Sequence, residues 1–232
     1  MAENQGYTRP EMIVETDWLA DHLNDPNVRI IDCDERPAYT RAHIPGAVTF
    51  RVHQYIKDKT NSTFVAPPDQ VAEIFGGLGI DENTEVVTYD GFDSLYATRI
   101  WWVLNYYGHT KVRVLNGGWA KWLAESRPID RQEPRYPAKS FSPRANPDLL
   151  ALSSQIVERL GQPETCLLDV RTDEEWTGKN KRGTKRGGRI PGAVHLEWKH
   201  YMRPDGTWKS ADELRPMFTE IGVTPDKQVI TY

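Results

Sequence analysis

Residues 30–48 read IIDCDERPAYTRAHIPGAV, and residues 167–194 read LLDVRTDEEWTGKNKRGTKRGGRIPGAV. The second stretch restates the first with an insertion. Asp32 falls over Asp169, and Ile44-Pro45-Gly46-Ala47-Val48 falls over Ile190-Pro191-Gly192-Ala193-Val194. Downstream, GLGIDENTEVVTYD at 77–90 matches EIGVTPDKQVITY at 220–232. The aspartates stand 137 positions apart, the IPGAV motifs 146 and the strand tyrosines 143. The second copy has therefore gained nine residues and then lost three. That is loop variation between two copies of one domain, and a repeat of this length dictates how the rest is read.

Within the first copy, short β-branched runs (VRIID, EVVTY, KVRVL) alternate with helical stretches. One of these is SLYATRIWWVLNYYG, whose apolar residues keep a helical period until Gly108 closes it. Strands alternating with helices predict an α/β fold: two tandem domains, each a mainly parallel sheet flanked by helices. Between the copies, RPIDRQEPRYPAKSFSPRANPD holds five of the sixteen prolines, a composition that excludes interior helix and strand. The expected organisation is a first domain over 10–127, a proline-rich linker over 128–147 and a second domain over 148–232.

Composition narrows the function classes. The 232 residues are 38% hydrophobic with a net charge of −4, which is globular and offers no global basic field for nucleic acid. No apolar run is long enough to span a membrane, and the polar start lacks the features of a signal peptide, so a cytoplasmic location is expected. Cys33 and Cys166 are too few for a disulfide framework, and the six histidines form no metal-binding pattern. No cofactor is expected.

Parallel sheets present their sites beyond the carboxyl ends of their strands. After the strand 85–89, DGFDSLYATR leads into a helix, and such a loop points several backbone N–H groups at one spot. A cysteine opening it would be a thiolate near neutral pH. Asp90 stands there instead, as a cap for those N–H groups, and the first copy reads as non-catalytic. The equivalent place in the second copy directly follows Tyr232.

The paired motifs, with AHIPGAV and GGRIPGAV after an Asp-ending strand and LNGGWAKW in the first half, resemble the tandem-domain rhodaneses, the thiosulfate sulfurtransferase family. The resemblance runs from about Met12 to Tyr232. It implies an inactive first domain and, in the second, a cysteine opening the loop after the VxTY strand. That cysteine takes a sulfane sulfur as a persulfide and passes it to cyanide or another thiophilic acceptor. The partners implied are a small anionic sulfur donor and that acceptor. The chain has no cysteine at that place, since Cys33 aligns with Val170 and Cys166 with Arg29. The expectation is therefore that a further segment of about 40 residues, by analogy with the first copy, completes the second domain, in the same chain or a separate one. Without it, no sulfurtransferase activity is expected. A non-catalytic rhodanese-like binding module is the alternative, as is a cysteine phosphatase or arsenate reductase on the same fold. Thiosulfate and 3-mercaptopyruvate are not distinguished as donors.

Five residues are candidates for the substrate-binding or supporting set. Arg171 and Asp169 end the first strand of the second copy, and Arg171 replaces the Asp34 of the first, a charge reversal that suggests anion binding. Asp169 recurs as Asp32 and reads as a structural acid. Glu175, with Trp176, opens the following helix, in a region that the family resemblance places beside the catalytic loop. Arg182 and Arg186 belong to the basic insert GKNKRGTKRGGR at 178–189, together with Lys179, Lys181, Lys185 and Arg189. The insert either raises the local concentration of an anionic donor or is a solvated loop. Trp119 and Trp122 read as packing residues.

Overall fold

The computed structural model describes residues 5–50, 56–58 and 65–232. The chain divides into two compact units, the first formed chiefly by Arg9–Leu149 and the second by Leu150–Arg203 and Trp208–Tyr232.

Among the described residues of unit 1, the strands and α-helices follow one another in this order. They are β1 (Ile13–Val14), α1 (Thr16–Asp21), β2 (Val28–Asp32), α2 (Arg36–Arg41), β3 (Val48–Thr49), α3 (Pro68–Gly77), β4 (Glu85–Tyr89), α4 (Ala97–Tyr106), β5 (Val112–Leu115) and α5 (Gly118–Ala124). The strands form one parallel sheet in the order β1-β5-β4-β2-β3. Because successive strand residues face opposite sides, each β-branched pair feeds two cores. Ile31, Val86 and Val114 join Phe75, Ile100 and Leu104 on one face. Ile30, Val87 and Leu115 join Leu19, Ile44 and Trp122 on the other. The helix expected from Ser94 begins three residues later, at Ala97, because Asp93 and Ser94 take positive φ.

The proline-rich stretch runs extended along unit 1. Its Phe141 enters the core, its Tyr136 hydroxyl donates to the Gly46 carbonyl at 2.9 Å, and its Lys139 N–H donates to the Gly76 carbonyl at 3.0 Å. Tyr136 also covers Arg29, the one cation of β2, whose guanidinium lies 3.1 Å from the ring centre.

Unit 2 repeats the central part of this plan with α6 (Ser153–Glu158), β6 (Thr165–Asp169), α7 (Asp173–Trp176), β7 (Val194–His195), α8 (Ala211–Glu220) and β8 (Gln228–Thr231). Its parallel order β7-β6-β8 matches β3-β2-β4, and the register Thr165↔Gln228 to Leu168↔Thr231 matches Val28↔Glu85 to Ile31↔Thr88.

Candidate active site

Each unit carries the same polar lock at the carboxyl edge of its own sheet. In unit 1 the Tyr89 hydroxyl donates to Asp32 Oδ2 at 2.5 Å and accepts from the Ile44 N–H at 3.1 Å. It thereby ties β4, β2 and the IPGAV turn together. In unit 2 the Tyr232 hydroxyl accepts from the Ile190 N–H at 3.0 Å and bonds to the Asp169 carboxylate. The backbone agrees, with the Cys33 N–H on the Tyr89 carbonyl and the Val170 N–H on the Tyr232 carbonyl. The recurrence of tyrosine in VxTY thus has a structural cause, which the sequence alone left unread.

Beyond the lock in unit 1, the Asp90 carboxylate sits where the loop's N–H groups converge. Oδ1 accepts from Phe92 and Ser94 at 2.8 and 2.9 Å, and Oδ2 from Tyr96 and Ala97 at 2.7 and 2.8 Å. The acid is 1% exposed. Its own carbonyl accepts from the Trp119 N–H at 2.9 Å. A Cβ at Gly118 would fall 2.4 Å from that oxygen, and φ there is +49°, so α5 starts on a residue that only glycine can supply. Asp34 completes the corner by accepting the Gly91 N–H with both oxygens at 3.0 Å. The loop geometry is an anion cradle, and in unit 1 a side chain of the protein fills it.

Three acids, Asp32, Asp34 and Asp90, are buried at this corner. Burial pushes all three carboxyls up, Asp32 to about 6. A carboxyl whose folded pKa exceeds its unfolded value stabilises fully below the unfolded pKa, and this contribution is lost as pH rises through about 6 for Asp32. Asp32→Asn is therefore expected to gain about 2 kcal/mol relative to the parent between pH 4.5 and 7.5. The check is the difference between the two denaturation profiles against pH. A difference that stays constant contradicts the assignment.

At the equivalent corner of unit 2, Arg171 replaces Asp34. Its guanidinium bonds Asp169 twice, Nε to Oδ1 at 2.9 Å and Nη2 to Oδ2 at 2.5 Å. Nη2 also donates to the Gly188 carbonyl at 2.9 Å, and the group lies 5.1 Å from the Tyr232 ring centre. Asp169 also accepts the Arg171 N–H at 3.0 Å. Burial pushes the Asp169 carboxyl up, but the Arg171 bonds outweigh it and hold it below the ordinary carboxylate range. The Asp169 hydrogen bond raises Arg171 in turn.

Glu175 differs from a solvated helix start. It is 7% exposed and closes a capping box, with the Thr172 hydroxyl on its Oε2 at 2.8 Å and its own N–H on Thr172 Oγ1 at 3.3 Å. Arg182 of the insert pairs with it at 3.3 Å. Burial raises the Glu175 carboxyl, yet Thr172 and Arg182 together bring it below the usual range. Arg186 is exposed and makes no side-chain ion pair among the described residues. The structure thus joins Asp169, Arg171 and Tyr232 in one cluster and Glu175 with Arg182 in another.

One group escaped the sequence reading. His195, opposite Asp169 across β7, stacks on Trp176 at 4.8 Å and bonds the Arg171 carbonyl through Nε2 at 2.8 Å. Arg189 lies over Trp176, 4.3 Å from its ring centre. The position of His195 at the carboxyl end of a strand was the available signal. Trp122 is fully buried and donates to the Pro128 carbonyl at 2.8 Å, a packing role.

Both cysteines are buried and free. Burial pushes each thiol up, Cys33 well above its ordinary value with Asp90 and Asp32 adding to the effect. Neither is therefore expected to react with iodoacetamide at neutral pH until the protein unfolds. Rapid labelling of either in the native state contradicts this.

Among the described residues, no helix is long and apolar enough to cross a membrane. The model of the rhodanese-like domain matches residues 15–125 and 153–232. The sulfur carrier protein TtuD of Thermus thermophilus is 34% identical over 239 aligned residues, covering 98% of this chain and 84% of that protein. Bovine thiosulfate sulfurtransferase is 33% identical, covering 94% of this chain and 80% of its own length. The crystal structure of SseA from Escherichia coli, described for the rhodanese fold and mechanism of 3-mercaptopyruvate sulfotransferases, superposes with a TM-score of 0.85 at 29% identity. It covers 95% of this chain and 87% of that one. The two matched segments coincide with the two units that carry the repeated lock, and the chain belongs to the rhodanese family as a tandem of two rhodanese-like domains.

Proposed function

We propose that the protein is a sulfurtransferase that moves a sulfane sulfur from thiosulfate, or a similar anionic donor, to cyanide or another thiophilic acceptor through a cysteine persulfide. The carrying observation is the cradle after β4. Four N–H groups converge there on one negative group at 2.7–2.9 Å, and the framework leading to it recurs in unit 2 as far as Tyr232. The nucleophile's place in the repeat is the position that follows the strand tyrosine. In unit 1 that is Asp90, which has no sulfur chemistry; in unit 2 we assign the place after Tyr232 to a cysteine.

The steps balance as a double displacement. The thiolate attacks the outer sulfur of thiosulfate, a sulfur–sulfur bond forms to the cysteine, and the donor's own sulfur–sulfur bond breaks with sulfite leaving on the electron pair. Cyanide then attacks the terminal sulfur of the persulfide, and thiocyanate leaves as the thiolate is restored. Cradle N–H groups stabilise the negative sulfur at each stage. Arg171 contributes positive charge at the same edge, while Asp169, Glu175 and Arg182 hold the edge in shape. Arg186, exposed on the insert, adds to the local positive potential.

The relatives named sulfur carrier and thiosulfate sulfurtransferase support this reading. It is tested by incubating the product of the natural gene with thiosulfate and cyanide. Thiocyanate should form with kinetics in which sulfite release precedes and does not require cyanide. Sulfite release that depends on cyanide contradicts a persulfide carrier. A binding module would release no sulfite at all.

A further inference from the structure

The insert at 178–189 has more internal structure than a solvated loop requires. The Thr184 N–H donates to the Lys181 carbonyl at 2.8 Å across a two-residue turn in which Arg182 and Gly183 both take positive φ, 45° and 77°. Thr184 Oγ1 lies 2.7 Å from the carbonyl oxygens of both Lys181 and Arg186. Asn180 Oδ1 accepts the Arg182 N–H at 3.0 Å, and the Asn180 N–H returns to the Glu174 carbonyl at 2.9 Å. At the base the two arms touch backbone to backbone, since a Cβ on Gly187 would fall 2.8 Å from the Gly178 oxygen. Arg182 anchors the loop to the buried Glu175.

This scaffold leaves Lys179, Lys181, Lys185 and Arg186 exposed, with no side-chain ion pair or hydrogen bond among the described residues. They stand on a chain whose net charge is −4. Small-anion steering needs only the charges and would work from an unstructured loop. Holding them on a fixed template lowers the ordering cost of a multi-point contact, which matters for a macromolecular surface. Residues 178–189 contain no apolar side chain to enter a lipid interface. The exposed acids Asp173 and Glu174 flank the loop and keep its positive surface short, which suits a local acidic patch better than the run of successive phosphates that nucleic-acid binding follows. We infer that the loop 178–189 is a preorganised cationic template on which a protein partner docks an acidic face. This goes beyond the sulfur-transfer reading and does not depend on it.

The test uses the full chain and needs no turnover. Fluorescent poly-L-glutamate serves as the probe, followed by anisotropy at low and physiological salt. Beside it run a duplex oligonucleotide and vesicles of phosphatidylcholine with phosphatidylserine. The parent should bind polyglutamate in a salt-dependent way. Reversing Lys179, Lys181, Lys185 and Arg186 to glutamate should weaken binding by about tenfold or more. Gly187→Ala keeps every charge but forces the arms apart, and should weaken it about threefold. Unchanged circular dichroism shows that both variants fold, as expected for exposed positions. Equal affinity of parent and charge-reversed protein overturns the inference, as does tighter binding of duplex or vesicles through these residues. An unchanged affinity of Gly187→Ala overturns the template.

Discussion

Asp90→Ala is expected to destabilise unit 1 by about 3–5 kcal/mol. The side chain accepts four backbone N–H groups, and its carboxylate is buried. Alanine leaves these donors unmade in a place that water enters only after the loop rearranges. Each such donor costs about 1–3 kcal/mol when unmet, and partial rearrangement recovers some of the sum. Asp90→Asn retains one carbonyl acceptor and removes a charge that burial disfavours, so its loss should be smaller. Chemical denaturation of the three proteins checks this order. Equal stability of the alanine variant and the parent would mean that the loop is held by packing alone.

Arg171→Ala is expected to cost unit 2 about 2–3 kcal/mol, at the low end of buried ion-pair losses because Arg171 is itself about a third exposed. Its partner Asp169 is fully buried, so the loss comes mainly from a carboxylate without its countercharge. The pH dependence supplies a sharper sign. In the parent the Asp169 pKa is depressed, so its contribution is present above the unfolded pKa and fades as pH falls through the folded value. Without Arg171, burial dominates and the folded pKa rises, so stability should instead be lost as pH increases above about 4. The gap between variant and parent should therefore widen from acid to neutral pH. A gap independent of pH would remove the ion pair from the explanation. Because Arg171 pairs with Asp169 as well as standing in the proposed anion-binding set, a changed KM on substitution is read beside the stability loss.

Local chemistry made much of the fold legible. VRIID and EVVTY became β2 and β4 with the residue limits that their β-branched runs define. The repeat carried the parallel pairing of β2 with β4 over to β6 with β8. The capping role of Asp90 followed from the geometry of a strand-to-helix loop, and the four N–H bonds agree with it. What escaped depends on contacts between distant residues. Thr172 and Glu175 have the local spacing of a capping box, but the pairing of Glu175 with Arg182 needs the insert to fold back, and no helical period encodes that meeting. Arg29 is buried under Tyr136, a residue of a proline-rich stretch that carries no pattern pointing to β2. His195 owes its place beside Arg171 to the pairing of β7 with β6.

The central claim is that sulfur is carried at the cradle position of unit 2 and not elsewhere in the molecule. Mass spectrometry of peptides from the natural gene product, after thiosulfate treatment and alkylation of persulfides, locates the transferred sulfur directly. The account predicts one added sulfur atom on a cysteine next to Tyr232, with Cys33 and Cys166 unmodified. Sulfur on Cys33 or Cys166, or thiocyanate formed with no sulfur bound to the protein, would contradict it.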